Sequence, residues 1–144
     1  MTFVASSKKH TFRMAIASDP KNIRRVETFL QKVKHAERLN NEKYHTLLVV
    51  VTEAVNNSIN HGNKRDPARK VYVVCTTQKG VLTVKVRDEG EGFDPNALPD
   101  PLHPDNLLRE SGRGVFLMKQ MMESVDYNEK GTEVTMKMRL RKTS

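Results

Sequence analysis

The chain has 144 residues, 37% hydrophobic and 29% charged, with a formal net charge of +8, which fits one soluble globular unit and excludes a disordered, fibrous or multidomain chain. No run approaches the ~20 apolar residues of a bilayer span and no signal-peptide pattern opens the sequence, so a cytoplasmic protein without a membrane partner is expected, while the single cysteine, Cys75, excludes an internal disulfide. The charge is uneven: residues 1–43 carry ten Lys/Arg against four Asp/Glu and residues 71–112 carry four against seven, so a basic rim surrounds an acidic centre, as suits a phosphate ligand held with a metal, although the N-terminal excess reads first as a solvated helix face.

In chain order, Phe12, Met14 and Ile16 alternate with Arg13 and Ala15, which predicts a strand over Thr11–Ala17 with one buried face. Asp19 as cap and Pro20 at the first helical position then open a helix whose Ile23, Val26, Leu30, Val33 and Leu39 share one side. A second helix runs from about Asn41 to Gly62. Its Leu47, Leu48, Val49, Val50, Val51, Ala54 and Val55 require burial nearly all round, with Gly62 as the C-cap. Val71–Cys75 and Val81–Arg87 form a hairpin about Gln78, Lys79 and Gly80. Four of the six prolines fall between Phe93 and Ser111, which predicts a long loop, about 93–111. A third helix over Arg113–Glu123 and a last strand over Thr132–Leu140 complete the chain. Strands buried on one side plus three helices imply an α+β fold: a two-layer α/β sandwich with a mixed, mostly antiparallel sheet and three helices on one face.

Glu53 lies within an apolar run, where a carboxylate is costly to desolvate unless it is partnered or functional. Glu53, Asn57 and His61 share one helical stripe, either a solvent-facing seam or one lining a site, and the Asn57 oxygen suits a hard cation such as Mg²⁺. Asp88-Glu89-Gly90-Glu91-Gly92 follows a strand, Gly112-Arg113-Gly114 opens a helix and Gly131-Thr132 precedes a strand. Singly, each reads equally as an ordinary turn or loop end. A helix start with glycines can also receive phosphate oxygens on its open N–H groups.

Together and in this order, Glu53-x-x-x-Asn57, Asp88-x-Gly90-x-Gly92, the proline-rich loop, Gly112-x-Gly114 and Gly131-Thr132 resemble the Bergerat-fold (GHKL) ATP-binding superfamily. Within it, Val-Thr-Glu-Ala-Val-Asn-Asn-Ser-Ile-Asn-His-Gly and Gly-Arg-Gly-Val-Phe-Leu-Met look like the small anti-sigma-factor serine kinases of bacteria, over about Phe12 to Leu140. The resemblance implies a single ATP-binding kinase domain over residues 1–144 with a lid at about 93–111. By the same resemblance Asn57 binds Mg²⁺, Asp88 accepts a hydrogen bond from the adenine amino group and Thr132 holds the base through its hydroxyl. Gly90 and Gly92 admit the nucleotide, Gly112, Arg113 and Gly114 cradle its phosphates with Val115 beside them, and Glu53 is the general base.

His61 is expected to make a structural hydrogen bond, and Arg109 either reaches the γ-phosphate or is a solvated loop residue. The implied function is Mg-ATP-dependent phosphorylation of a serine on an anti-sigma-factor antagonist, with a sigma factor as second partner and a homodimer, in which the first strand takes part, as the assembly. A non-catalytic, ATP-binding partner-switching regulator of another target is the alternative. Nucleic-acid-reading motifs and stacking aromatics are missing, so direct nucleic-acid binding is not expected.

Overall fold

Period-2 alternation builds the sheet. In the computed structural model, which describes residues 8–92 and 118–140, strands β1 (His10–Ala17), β2 (Lys70–Gln78), β3 (Val81–Arg87), β4 (Ser124–Tyr127) and β5 (Glu133–Arg139) form one five-stranded sheet in the order β1-β2-β3-β5-β4. Every pairing is antiparallel. The registers align apolar side chains in rows across one face: Phe12, Cys75, Val84, Met136 and Val125 form one, and Met14, Val73, Val86, Val134 and Tyr127 the next. The opposite face carries Thr76, Thr83, Thr135, Lys85 and Lys137, so the sheet buries one side only. Burial pushes the Cys75 thiol up to about 12, which leaves it a packing residue rather than a nucleophile.

Two helices, α1 (Ile23–Glu37) and α2 (Asn41–Asn57), supply most of the second layer. Asp19 accepts from the Lys21 N–H (3.0 Å) and caps a short 3-10 turn, Pro20–Asn22, which runs into α1. The helix ends at Glu37, because Arg38 adopts a left-handed conformation (φ 54°), yet Leu39 beyond it is still buried. Asn40 caps α2 by accepting from the Lys43 N–H (2.8 Å). Val26, Leu30 and Val33 of α1 meet Leu47, Val50, Val51, Ala54 and Val55 of α2 in one core over the sheet rows.

The predicted second helix does reach Gly62, but its last turn, Ser58–Gly62, is a wider π-helical turn, followed by Asn63 as the capping residue. The predicted hairpin turn is a two-residue one, with Lys79 and Gly80 at φ 53° and 75°. Residues 118–121 are helical and Met118 is fully buried. That helix stops short of the expected Glu123, whose N–H donates instead to the Lys137 carbonyl of β5 (2.9 Å). Strand β4, which follows, was not expected from the sequence. The proline-rich loop and residues 113–117 of the third helix lie outside the described residues.

Leu47 is completely buried between the layers. Truncation in Leu47→Ala is expected to lower unfolding free energy by about 2–5 kcal/mol, read as a fall in the denaturant midpoint at unchanged slope.

Candidate functional site

The third row of the buried sheet face begins with Ile16 and Val71 and ends in two polar residues. Asp88 and Thr132 stand one step beyond the Arg87–Glu133 pair of β3 and β5, and the Asp88 N–H donates to the Thr132 carbonyl (2.9 Å). The strand period turns both side chains to the face of Val86 and Val134, toward the end of α2. Asp88 is only 8% exposed.

What seats Asp88 there is a missing atom. A Cβ on Gly62 would overlap the Asp88 carboxylate, and a Cβ on Gly90 would overlap the Gly62 carbonyl. The π turn therefore lies directly on the Asp88–Gly90 segment, so Gly62 serves close approach rather than only helix termination. Gly92 (φ 84°) passes equally close to the Lys130 carbonyl, and its ideal Cβ would lie 3.2 Å from Thr132 Cγ2. Gly131 has φ 72°, which completes the turn before Thr132.

Two asparagines outside the predicted motifs hold this geometry. Asn63 is fully buried. Its side-chain amide donates to Ser18 Oγ (2.7 Å) and the Lys70 carbonyl (2.9 Å), while its oxygen accepts from the Glu89 N–H (2.8 Å). One side chain thus joins the end of β1, the start of β2 and the loop after Asp88. Glu89 adds a bond to the Lys70 N–H. At the other strand, Asn128 Oδ1 accepts from the N–H groups of Thr132 (2.8 Å) and Glu133 (3.2 Å), and its Nδ2 donates to Thr132 Oγ1 (2.9 Å). Asn63 fell in what the sequence presented as a polar loop; the only signal for it was its position directly after His61-Gly62.

Burial holds the Asp88 carboxyl above its ordinary value, against the opposing pull of the Gly90 N–H, which donates to Oδ1 (2.9 Å), and of the Arg69 guanidinium. Glu53 and Asn57 are half-buried on α2, one turn apart, and His61 is exposed. Glu53 has a neighbour that periodicity did not reveal: burial and then the Glu53 charge raise the Tyr127 hydroxyl to about 12. Tyr127 closes the second apolar row of the sheet, so Glu53 lies over the β4 edge. The structural hydrogen bond expected of His61 is not formed among the described residues; the side chain lies exposed on the π turn. Gly112, Arg113, Gly114, Val115 and Arg109 lie outside the described residues.

No cluster of three or more His, Cys, Asp or Glu side chains occurs among the described residues. An all-protein metal cage is thus absent there. The side-chain oxygen of Asn57 instead fits Mg²⁺, which takes one or two protein oxygens and fills its remaining positions from phosphate and water. A buried acceptor beside a hydroxyl at a glycine-lined strand end likewise fits a heterocycle edge.

Fold and site together define a two-layer α+β domain with polar side chains gathered where the π turn after α2 meets the paired ends of β3 and β5. The chain belongs to the family of histidine kinase-like ATPase domains, which it matches over residues 16–138. It is similar to the anti-sigma F factor of Oceanobacillus iheyensis, at 39% identity over 99 residues covering 65% of this chain and 68% of that one. It is also similar to the serine-protein kinase RsbW of the same organism, at 26% identity over 121 residues covering 80% and 77%. Among solved structures, the RsbU and RsbW domains of a Mycobacterium tuberculosis protein superpose with a TM-score of 0.66 at 14% identity, covering 94% of this chain. This chain spans about a third (34%) of that one, and the likeness establishes the fold.

Two outcomes follow from the buried polar groups. Because the folded state raises the Asp88 pKa, it binds that proton more tightly than the unfolded chain does, so this group's contribution to stability is greatest at low pH and falls as pH rises through the raised value. Asp88→Asn removes that slope: its melting temperature relative to wild type should increase between about pH 4 and pH 7, measured by thermal unfolding across that range. Asn63→Ala strips the partner from the Glu89 N–H and the Lys70 carbonyl and is expected to cost about 1–3 kcal/mol, with faster amide exchange at Glu89 as the local readout.

Proposed function

We propose that this chain is a Mg-ATP-dependent serine protein kinase that acts as an anti-sigma factor, phosphorylating a serine of an antagonist protein. The observation that carries this reading is the buried Asp88, whose backbone N–H pairs with the Thr132 carbonyl at the strand ends, under a helix that bears Glu53 and Asn57. The relatives, an anti-sigma F factor and a serine-protein kinase, support the partner and substrate classes.

In this reading a carboxyl oxygen of Asp88 accepts from the exocyclic amine of adenine, and Thr132 contacts the same edge of the base. Gly90 and Gly92 let the backbone approach the nucleotide, and Gly112, Arg113, Gly114 and Val115 receive the phosphates. Asn57 supplies a magnesium ligand. When bound, Mg-ATP supplies the γ-phosphoryl group with its charge partly neutralised. Glu53 orients the attacking serine hydroxyl and takes its proton as the serine oxygen–phosphorus bond forms and the bridging bond between the β- and γ-phosphates breaks, releasing ADP, so its placement matters more than its basicity. Tyr127 lies beside it and keeps its own proton throughout the physiological range.

We further place the protein in the cytoplasm as a single kinase domain. It works as a homodimer in contact with a sigma factor, and β1, which stands at the end of the sheet, is available for the homodimer contact.

The test is transfer of labelled phosphate from ATP, in the presence of Mg²⁺, to a serine of a purified antagonist. Glu53→Ala should slow transfer by about a hundredfold or more while nucleotide affinity stays near that of the parent. Undiminished labelling by that variant refutes the base assignment, and absence of transfer by the parent refutes the kinase reading.

A further inference from the structure

Asn128 belongs to none of the motifs that define the nucleotide site, yet it bonds to the hydroxyl of Thr132. Its Oδ1 accepts two backbone N–H groups, from Thr132 (2.8 Å) and Glu133 (3.2 Å). Two donors aimed at one amide atom settle which atom is oxygen, so the other is the NH₂ group. That group donates to Thr132 Oγ1 at 2.9 Å. A hydroxyl has one proton and two lone pairs. With one lone pair taken by an amide that can only donate, the proton turns away from Asn128, and it meets no acceptor among the described residues. The turn that carries Asn128 is itself locked, since the Asn128 N–H donates to the Glu133 carbonyl (3.0 Å) and the Gly131 N–H to the Asn128 carbonyl (3.1 Å).

Across the strand pair, Asp88 when ionised is an acceptor only. The two side chains leave the same face of the sheet from positions joined by the Asp88 N–H to Thr132 carbonyl bond. The paired strand ends therefore present an acceptor next to a donor. A 6-aminopurine offers the matching order, an amino donor at C6 and an acceptor at N1. A 6-oxopurine offers the reverse, an acceptor at C6 and a donor at N1, and opposes both groups. A site that hydrogen-bonds a polar edge disfavours the mismatched edge, because a buried acceptor such as the Asp88 carboxylate is then left unpaired.

We propose that Asn128 is a positioning residue that fixes the Thr132 hydroxyl as a donor and thereby sets the site's preference for 6-amino over 6-oxo purine nucleotides; this rests on the nucleotide-site reading above. The nearly isosteric change Asn128→Asp separates the two tasks of the side chain. A carboxylate still accepts both backbone N–H groups, so the turn is kept, but it now accepts from the Thr132 hydroxyl and reverses it, leaving a lone pair facing the base.

The experiment is calorimetric titration of the full chain with Mg-ATP and Mg-ITP, for the parent, Asn128→Asp, Thr132→Val and Asp88→Asn, with thermal unfolding of each. For Asn128→Asp the ratio of ATP to ITP affinity should fall by about tenfold or more, through weaker ATP binding and unchanged or tighter ITP binding. Thr132→Val, which leaves the backbone contacts to Asn128 in place, should weaken ATP by about tenfold and ITP little, so the proposal stays testable even if the first variant does not fold. An unchanged ratio in a folded Asn128→Asp protein, or equal losses of both nucleotides in Thr132→Val, overturns the proposal. If Asp88→Asn leaves ATP affinity unchanged, the nucleotide-site reading itself fails; if it weakens ATP while the Asn128→Asp ratio stays put, only the role of Asn128 is lost.

Discussion

The carboxylate of Asp88 occupies the space that a side chain on Gly62 would fill, and the rest of the site depends on that contact. It brings the last turn of α2 onto the loop after β3 with backbone against backbone, closer than any residue with a Cβ permits. Gly90 meets the same demand from the other side. Once helix end and strand end touch, α2 lies with Glu53 and Asn57 above a sheet edge that closes in Asp88, Thr132 and Tyr127. The π turn over Ser58–Gly62 is part of this arrangement, since it is the turn through which the helix reaches the loop.

Burying a carboxylate in this way costs the fold stability at neutral pH, and the surroundings offset only part of the cost. One N–H, from Gly90, and the Arg69 charge favour ionisation, yet burial still prevails. The neighbouring amides are served better: Asn63 and Asn128 each bond to three groups, most of them backbone. The site thus combines a rigid, satisfied frame with one acceptor held in an unfavourable state. That combination suits a ligand that brings its own donor.

Much of this was legible in the sequence, for different reasons at different places. Phe12, Met14 and Ile16, or Leu82, Val84 and Val86, alternate so regularly that their strands and the buried face follow from pattern alone. The helix over Asn41–Gly62 was equally plain, because its apolar run is too long for a strand. Strand β4 was not, since Ser124–Tyr127 is four residues long, contains an aspartate and gains its apolar character only from pairing with β5. Asp88, Gly90 and Thr132 were singled out as site residues, and the structure brings them together. The two asparagines escaped notice because turn residues of their type are usually solvated; Asn63 is instead buried, and Asn128, though exposed, folds its side chain back onto its own turn. Likewise the proximity of Glu53 to Tyr127 joins residues far apart along the chain, which periodicity cannot reveal.

The bond between the Asp88 N–H and the Thr132 carbonyl involves main chain only. The side chain at position 88 is bound to the helix end by its packing on Gly62, whereas the one at position 132 is displayed by a main-chain bond that any residue there can make. Of the two contacts to a ligand, the second is therefore the one that a point substitution can retune without rebuilding the framework.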